Sequence, residues 1–330
     1  MNTKPLVSFC VKSYNQRRYI AAALDGAFAQ TYRPLEIVIS DDCSSDGTAE
    51  LIQRKIDEYK ARHTDIPVTF NRNKTNLGNL GNWIVFGKLA KGALLVKADG
   101  DDISLPERTS TIVDAWVNSG RKAKIIQHRG IVMDEEGVEL AGTVGDNGSC
   151  QVYSRDLWIR FPVVAEINRD KRIYDDIDFS VRAHALVGGQ STLVIPDMLV
   201  KYRVGSGDTT GGRNYRETML FDWAVVHDSI EHGLEEVALN RSTIDAGQVS
   251  RTRKDFERRM RESCCNLQLV DTRHNWRRRL AAVRELENDF GLTSPRDRLL
   301  HLVFLLPRFL GDALLAPYFR FFYFRRKYSQ

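Results

Sequence analysis

The stretch GALLVKADGDDISLPER, residues 92–108, carries the reading of the fold. An apolar run of strand type ends in three carboxylates, Asp99, Asp101 and Asp102. A solvated turn would hold such acids in water. A second explanation is that something positive sits at the strand's end. The rest of the chain bears on the choice.

Working outward from this stretch, strands and helices alternate. LVSFCV (6–11) is a continuous apolar run, as expected of a strand covered on both faces, and LEIVIS (35–40) reads as a second strand. VTFN (68–71) and ALLVKA (93–98) supply two more strands. Between them the spacing of apolar residues predicts helices over 17–30, 48–62 and 79–89. Repeated strand–helix–strand units argue for a mostly parallel sheet with helices on both faces. In such sheets ligands bind beyond the carboxyl ends of the strands. Three of these ends are polar: SYN after the first strand, DDCSSDGT after the second and DGDD after the fourth.

The middle of the chain changes character. Residues 124–142 read as a strand pair around Glu135-Glu136-Gly137, Ser154 as the cap of a short helix RDLWIRF, and 175–187 as a helix. STLVI and MLVKYRV read as two further strands. From about residue 214 the pattern is helical and Arg-rich.

The chain has 330 residues with 42% hydrophobic and 28% charged, an ordinary globular composition for one large domain with an extension. Charge is unevenly placed. Residues 251–330 hold 18 Lys/Arg against 9 Asp/Glu, leaving 30 against 34 in the first 250. A basic quarter with interleaved aromatics, as in FRFFYFRRKY, suits an anionic membrane surface or a helical cap better than nucleic acid. The five cysteines lack metal-ligand spacing and suit a reducing compartment. No run reaches the length of a membrane span; 299–324 comes nearest and is broken by His301, Pro307, Arg308, Asp312, Pro317 and Arg320.

The ordered motifs VSFCVKSYNQRRYI, AFAQTYRPLEIVISDDCSSDGT, NLGNLGNW, KADGDDISLPER and YDDIDFSVRAHALVGG are similar to those of family-2 glycosyltransferases of the GT-A fold, over roughly residues 5–205. The resemblance implies a Rossmann-like α/β fold with a helical C-terminal extension. The catalytic domain would cover 1–212, divided into a nucleotide-sugar half (about 1–105) and an acceptor half (about 106–212), with 213–330 helical, basic and amphipathic. It also implies roles. Ser13, Tyr14 and Asn15 would lie against the nucleotide base, where an aromatic ring offers a stacking face. Asp42, supported by Asp41, would accept an N–H of the base, which suits UDP or dTDP better than GDP. Asn76, Gly78 and Asn82 would form the nucleotide-binding loop before the third helix, where Gly78 lets the backbone approach the nucleotide. Asp99 and Gly100 would contact the donor. Asp101 would hold a divalent cation, Mn²⁺ or Mg²⁺, with Asp99 and Asp208 as further ligand candidates and Asp102 in support.

Asp176 would be the general base that takes the acceptor hydroxyl's proton in one inverting displacement. Asp175 and Arg182 would support it, and Asp178 would be structural. Many relatives place a histidine in Tyr-Arg-x-His; here the stretch is KYRVGSGDTT, with Gly205 at that position, which is why Asp208 is a candidate. The processive signature Gln-x-x-Arg-Trp is absent from the sequence. The expected activity is transfer of one or a few sugars to a glycan or lipid-linked acceptor in bacterial polysaccharide synthesis. The protein would be cytoplasmic, with peripheral contact to the inner face of the membrane. The alternatives are a sugar nucleotidyltransferase and a non-catalytic glycan-binding protein with a degenerate site.

Overall fold

The computed structural model describes residues 4–145, 148–157, 175–187, 192–204 and parts of 229–254 (229–235, 237, 247 and 250–254). For residues 175–177, 186 and 187 it describes the backbone only. Contacts divide the chain into two units, 1–257 and 258–330, and every described residue lies in the first.

The first half is a parallel sheet. Strands β1 (Val7–Ser13), β2 (Leu35–Asp41), β3 (Val68–Arg72) and β4 (Leu94–Asp99) stand in the order β3-β2-β1-β4. Helices α1 (Ile20–Phe28), α2 (Thr48–Lys60) and α3 (Gly78–Leu89) connect them. The apolar runs have a direct cause in this layering. Val7, Phe9 and Val11 of β1 pack into one core with Ile20 and Leu24 of α1, Ile52 and Ile56 of α2, and Ile112 and Trp116 of α4 (Arg108–Asn118). Cys10 points the other way, with Val38 and Leu95, against Trp83 and Phe86 of α3. Burial of each large apolar side chain contributes about 1.5–3 kcal/mol. A strand apolar on one face only would expose half of that surface.

The second half is mixed. It holds β5 (Ile103–Ser104), β6 (Ile125–Met133), β7 (Glu139–Val144), β8 (Gln151–Ser154) and β9 (Thr192–Arg203). The sheet continues β4-β8-β6-β9-β5, with β8 antiparallel to β4 and β6, β9 parallel to β6, and β7 antiparallel to the end of β6. The sheet is therefore parallel through β4 and mixed beyond. Helix α5 (Asp175–Val187) packs Phe179 and Ala183 with Leu80 and Ile84 of α3, Ile125 of β6 and Tyr153 of β8.

Three expectations change. The segments STLVI and MLVKYRV are one strand, β9. Pro196 interrupts the sequence pattern but not the strand, because it falls where pairing skips from Gln127↔Val194 to Arg129↔Met198. A residue without an N–H is tolerated at such a bulge. Ser154 ends strand β8 and a 3-10 turn, Arg155–Leu157, follows it; the rest of RDLWIRF lies outside the described residues. The fourth strand's acidic end leads into a two-residue strand, β5, before α4 begins. Trp158, Gly205, Asp208 and the basic region from 255 to 330 lie outside the described residues.

Candidate functional site

Register brings the polar strand ends together. Ser13 at the end of β1 pairs with Asp41 of β2, and Lys12 pairs with Asp99 of β4. The loops after β1 and β2 are knitted to each other. Asp41 is fully buried and accepts hydrogen bonds from Ser13 Oγ (3.1 Å), Ser44 N (2.9 Å) and Ser44 Oγ (2.5 Å). Asn15 takes a left-handed backbone, φ 49°. Its N–H donates to Ser44 Oγ at 2.8 Å, and its Oδ1 accepts from Ser45 N at 3.0 Å. Tyr14, between them, is 40% exposed with its ring available. Asp41, Ser13 and Asn15 thus build the loop, and Tyr14 is what the loop presents.

Asp42 is buried and organises the loop before α3. Its Oδ1 accepts from Asn73 Nδ2 (2.8 Å) and Leu77 N (2.9 Å), and its Oδ2 from Gly78 N (2.9 Å). A carboxylate has about four lone-pair sites, so one remains on Oδ2 for a further donor. Burial pushes the Asp42 carboxyl above its usual range, against these hydrogen bonds. Asn76 Oδ1 also accepts from Gly78 N, at 2.9 Å. Gly78 has φ 75° and open space where a Cβ would stand, so here the backbone angle, not crowding, asks for glycine. Asn82 is buried and ties α3 to β2: its Oδ1 accepts from Ser40 Oγ at 2.5 Å, and its Nδ2 donates to Ser40 O at 3.2 Å.

The acids after β4 have three different environments. Asp99 Oδ1 lies 2.9 Å from Lys12 Nζ, and Asp99 Oδ2 accepts from Ser149 Oγ at 3.0 Å. Burial works against its charged form, but the Lys12 and Lys97 ammonium groups outweigh burial and hold the carboxyl below the usual range. Lys97 is itself buried, with Nζ 5.1 Å from the centre of the Trp83 ring. A Cβ on Gly100 would stand 2.4 Å from Gln16 Oε1 and 3.0 Å from Lys12 O, so a larger residue would have to displace the Gln16 side chain and ease this turn from β1. Asp101 is half-buried, and its carbonyl accepts from Arg203 Nε at 2.9 Å. Asp102 is buried; its Oδ1 accepts from Arg203 N at 2.8 Å, while its Oδ2 makes no hydrogen bond. Burial first, then the charges of Asp101 and Asp99, push the Asp102 carboxyl well up.

Among the described residues no three His, Cys, Asp or Glu side chains converge as a ready-made ion cage. The orphaned Asp102 Oδ2, buried beside Asp101, nevertheless fits a hard cation shared with ligand oxygens. Mg²⁺-type sites are commonly built this way, from one or two carboxylates plus substrate phosphates. Asp99, already facing two ammonium groups, fits a hydrogen-bonding role better than a metal-ligand role.

Several residues that build the site escape sequence reasoning. Arg108 is fully buried and donates from Nε to His128 Nε2 (3.0 Å), from Nη1 to Ser104 Oγ (2.8 Å), and from Nη2 to Lys97 O (2.6 Å) and Ser149 O (2.5 Å). It thereby fixes the strand that ends in Asp99 and the turn that carries Ser149. Its signal was present: Arg108 occupies the stripe 108–112–116 that α4 buries. Arg203 ties Asp101 and Asp102 to the β6–β7 turn, donating from Nη1 to Asp134 O (2.9 Å) and Glu135 O (2.6 Å). Asp175 and Asp176 open helix α5. Asp178 and Arg182 of that helix are buried and paired at 2.7 Å.

The sequence profile of glycosyl transferase family 2 matches residues 8–171. Chondroitin synthase of Escherichia coli is 28% identical over 153 residues, 46% of this chain and 20% of its own. Abequosyltransferase RfbV of Salmonella typhimurium is 32% identical over 116 residues, 34% of this chain and 33% of its own. The chain spans about half or less of the length of the curated relatives it matches. Among solved structures, the mannosyltransferase PcManGT from Pyrobaculum calidifontis, in complex with GDP-Man and Mn²⁺, superposes with a TM-score of 0.51 at 14% identity, covering 95% of this chain and 87% of that one. That likeness shows a shared fold. With the fold, the strand-end loops and the profile match in agreement, the chain belongs to glycosyl transferase family 2.

Proposed function

We propose that the chain transfers a sugar from a nucleotide-sugar donor to a glycan or lipid-linked acceptor in bacterial polysaccharide synthesis, with inversion at the anomeric carbon. The observation that carries the proposal is the adjacency fixed by strand register. Register sets Ser13 opposite Asp41 and Lys12 opposite Asp99, so the stretches that carry Tyr14, Asp42, and Asp101 with Asp102 leave neighbouring strand ends. One side suits a base and the other a diphosphate. RfbV, which moves a sugar by name, and PcManGT, bound to GDP-Man, support a sugar-nucleotide donor.

In this reading Tyr14 stacks on the base, and the remaining lone pair of Asp42 accepts a base N–H. A uracil or thymine offers that N–H, which supports a UDP- or dTDP-sugar. Asp99 orients the ribose. Asp101 and Asp102 would hold Mn²⁺ or Mg²⁺ together with diphosphate oxygens. Such a cation supplies neutralisation of the charge that grows on the leaving diphosphate. Asp176, at the start of α5, takes the proton of the acceptor hydroxyl as its oxygen bonds the anomeric carbon and the bond to the diphosphate breaks. Asp208 is a further ligand candidate.

Among the described residues no helix is long and apolar enough to cross a membrane. Contact with an anionic membrane through the basic region after 251, from the cytoplasmic side, is part of the proposal. Asp176→Asn tests the base directly. Transfer should fall by about two to four orders of magnitude, the usual weight of general-base catalysis, while nucleotide affinity stays unchanged. Normal turnover by that variant would remove Asp176 from the role.

A further inference from the structure

Residues 229–235 are helical and lie beyond the family match, which ends at 171. They are nonetheless packed on α5. Ser229, Ile230 and Leu234 are buried. A Cβ on Gly233 would stand 2.8 Å from the Asp178 carbonyl oxygen and 3.2 Å from Val181 Cβ, so the segment's backbone lies directly against the helix. One residue earlier, His232 Nδ1 is 2.7 Å from Asp178 Oδ2. The other oxygen of Asp178 accepts from Arg182 Nε at 2.7 Å. Asp178 is fully buried, and the His232 side chain is 19% exposed.

The link is polar where apolar packing would have served. Ile230, Leu234 and Val237 already hold the segment by burial. Apolar contacts are non-directional and leave a helix some freedom to turn about its axis. A hydrogen bond to a buried carboxylate is directional. Because a carboxylate only accepts, Nδ1 carries the hydrogen, which fixes the tautomer of His232. The Asp178–Arg182 bond lies within one helix and does not fix that helix against another element; the His232–Asp178 bond does. On a neighbouring face α5 is held through Phe179, which stacks on Tyr153 of β8 with ring centres 4.6 Å apart. Asp178 stands two residues after Asp176, in the helix's first turn.

We propose that His232 is a positioning residue for glycosyl transfer. Through Nδ1–H to Asp178 it sets the rotation of the first turn of α5 and so the direction in which Asp176 is offered to the acceptor. The segment 229–235 is then part of the catalytic unit. This rests on the reading of Asp176 as the base.

The test uses the full chain with His232→Leu and His232→Asn. The Asn Nδ2 takes the place of His Nδ1 and can donate to Asp178; Leu cannot. Two readouts are taken: amide hydrogen exchange by mass spectrometry across 175–187, and nucleotide diphosphate release from UDP-, dTDP- and GDP-sugars, with kcat and donor KM. In His232→Leu, exchange of the hydrogen-bonded amides of α5, from residue 179 on, should rise about tenfold or more, as expected for loss of a hydrogen bond to a charged group. Its kcat should fall roughly 10- to 100-fold, the effect of a misplaced catalytic group, with donor KM within about twofold. His232→Asn should restore both.

Wild-type exchange and kcat in His232→Leu would overturn the proposal, as would a folded His232→Asn with the exchange and kcat of the Leu variant. If His232→Leu does not fold, His232→Ala takes its place: a reduced kcat that His232→Asn restores supports the role, and a wild-type kcat in His232→Ala refutes it. Asp176→Asn in the same assay separates the two claims. Its normal turnover would remove the base, while the exchange readout would still report on the His232–Asp178 bond.

Discussion

Replacing Arg108 with Met asks most sharply whether the acidic turn is held from beneath. Arg108 has no exposed surface, and its guanidinium serves four acceptors within 3.0 Å. Met fills a similar volume and donates nothing. The Ser104 hydroxyl can turn to another partner. The Lys97 and Ser149 carbonyls cannot, and a buried acceptor left without a donor costs about 1–3 kcal/mol. Two of them give about 2–6 kcal/mol. Removing the desolvated charge offsets part of this, so the expected loss is about 2–4 kcal/mol, the lower part of that range.

Against a total stability of about 5–15 kcal/mol the loss is large. Urea unfolding followed by tryptophan fluorescence should show the midpoint falling by about 1 M or more, with the slope unchanged. Arg108→Lys should fall between the two, since one ammonium cannot reach four acceptors spread around a planar fork. A loss below about 1 kcal/mol in Arg108→Met, the size of an ordinary surface change, would refute the view that Arg108 anchors the strand that ends in Asp99.

Two further outcomes follow from neighbouring residues. Gly100→Ala places a methyl group 3.0 Å from the Lys12 carbonyl and 2.4 Å from Gln16 Oε1; overpacking of this kind costs about 1–3 kcal/mol. Thermal unfolding should report that loss, with weakened nucleotide binding, because β1 and the acidic turn are forced apart. His128 is buried, and burial followed by the Arg108 charge lowers its pKa to about 3. The unfolded chain takes up a proton near the ordinary value of about 6.5 while the folded chain does not, so His128 contributes stability in full above that value and loses it as pH falls toward 3. The slope is about 1.4 kcal/mol per pH unit inside that window. Urea unfolding at pH 6.5 and pH 5 should show a decline that His128→Asn flattens; equal slopes for the two proteins would contradict the assignment.

The parallel half of the sheet was legible because its strands are buried on both faces. Val7 to Val11, Leu35 to Ile39 and Leu94 to Ala98 are apolar apart from Ser8, Glu36 and Lys97, and their polar ends then stood out. The helices between them were legible from four-residue spacing, as with Ile20 and Leu24. Strand β8 was not, because Gln151 and Ser154 are polar; the structure makes Gln151 tolerable by letting its Oε1 accept from the Tyr153 hydroxyl at 2.6 Å. The acids at the strand ends could be picked out of the sequence, but their cations could not. Lys12 and Lys97 sit inside strand runs, where a lysine reads as an exception to the pattern, and only register places Lys12 opposite Asp99. His232 lay in a stretch legible only as helical, and its partner is 54 residues away. Motif reading finds residues that cluster in sequence. It misses donors that reach the cluster from elsewhere in the fold.

The central claim, that the strand-end crevice binds a sugar nucleotide with a divalent cation, is met most directly by a thermal-shift panel. The protein is heated with Mn²⁺ or Mg²⁺ and each of UDP, dTDP, GDP, CDP and ADP, alongside Asp101→Ala. A ligand that binds only the folded state raises the melting temperature by mass action, equivalent to about 2.7 kcal/mol at a hundred times Kd. The account predicts a metal-dependent rise with UDP or dTDP that Asp101→Ala loses. No rise with any nucleotide in the presence of either metal would contradict it.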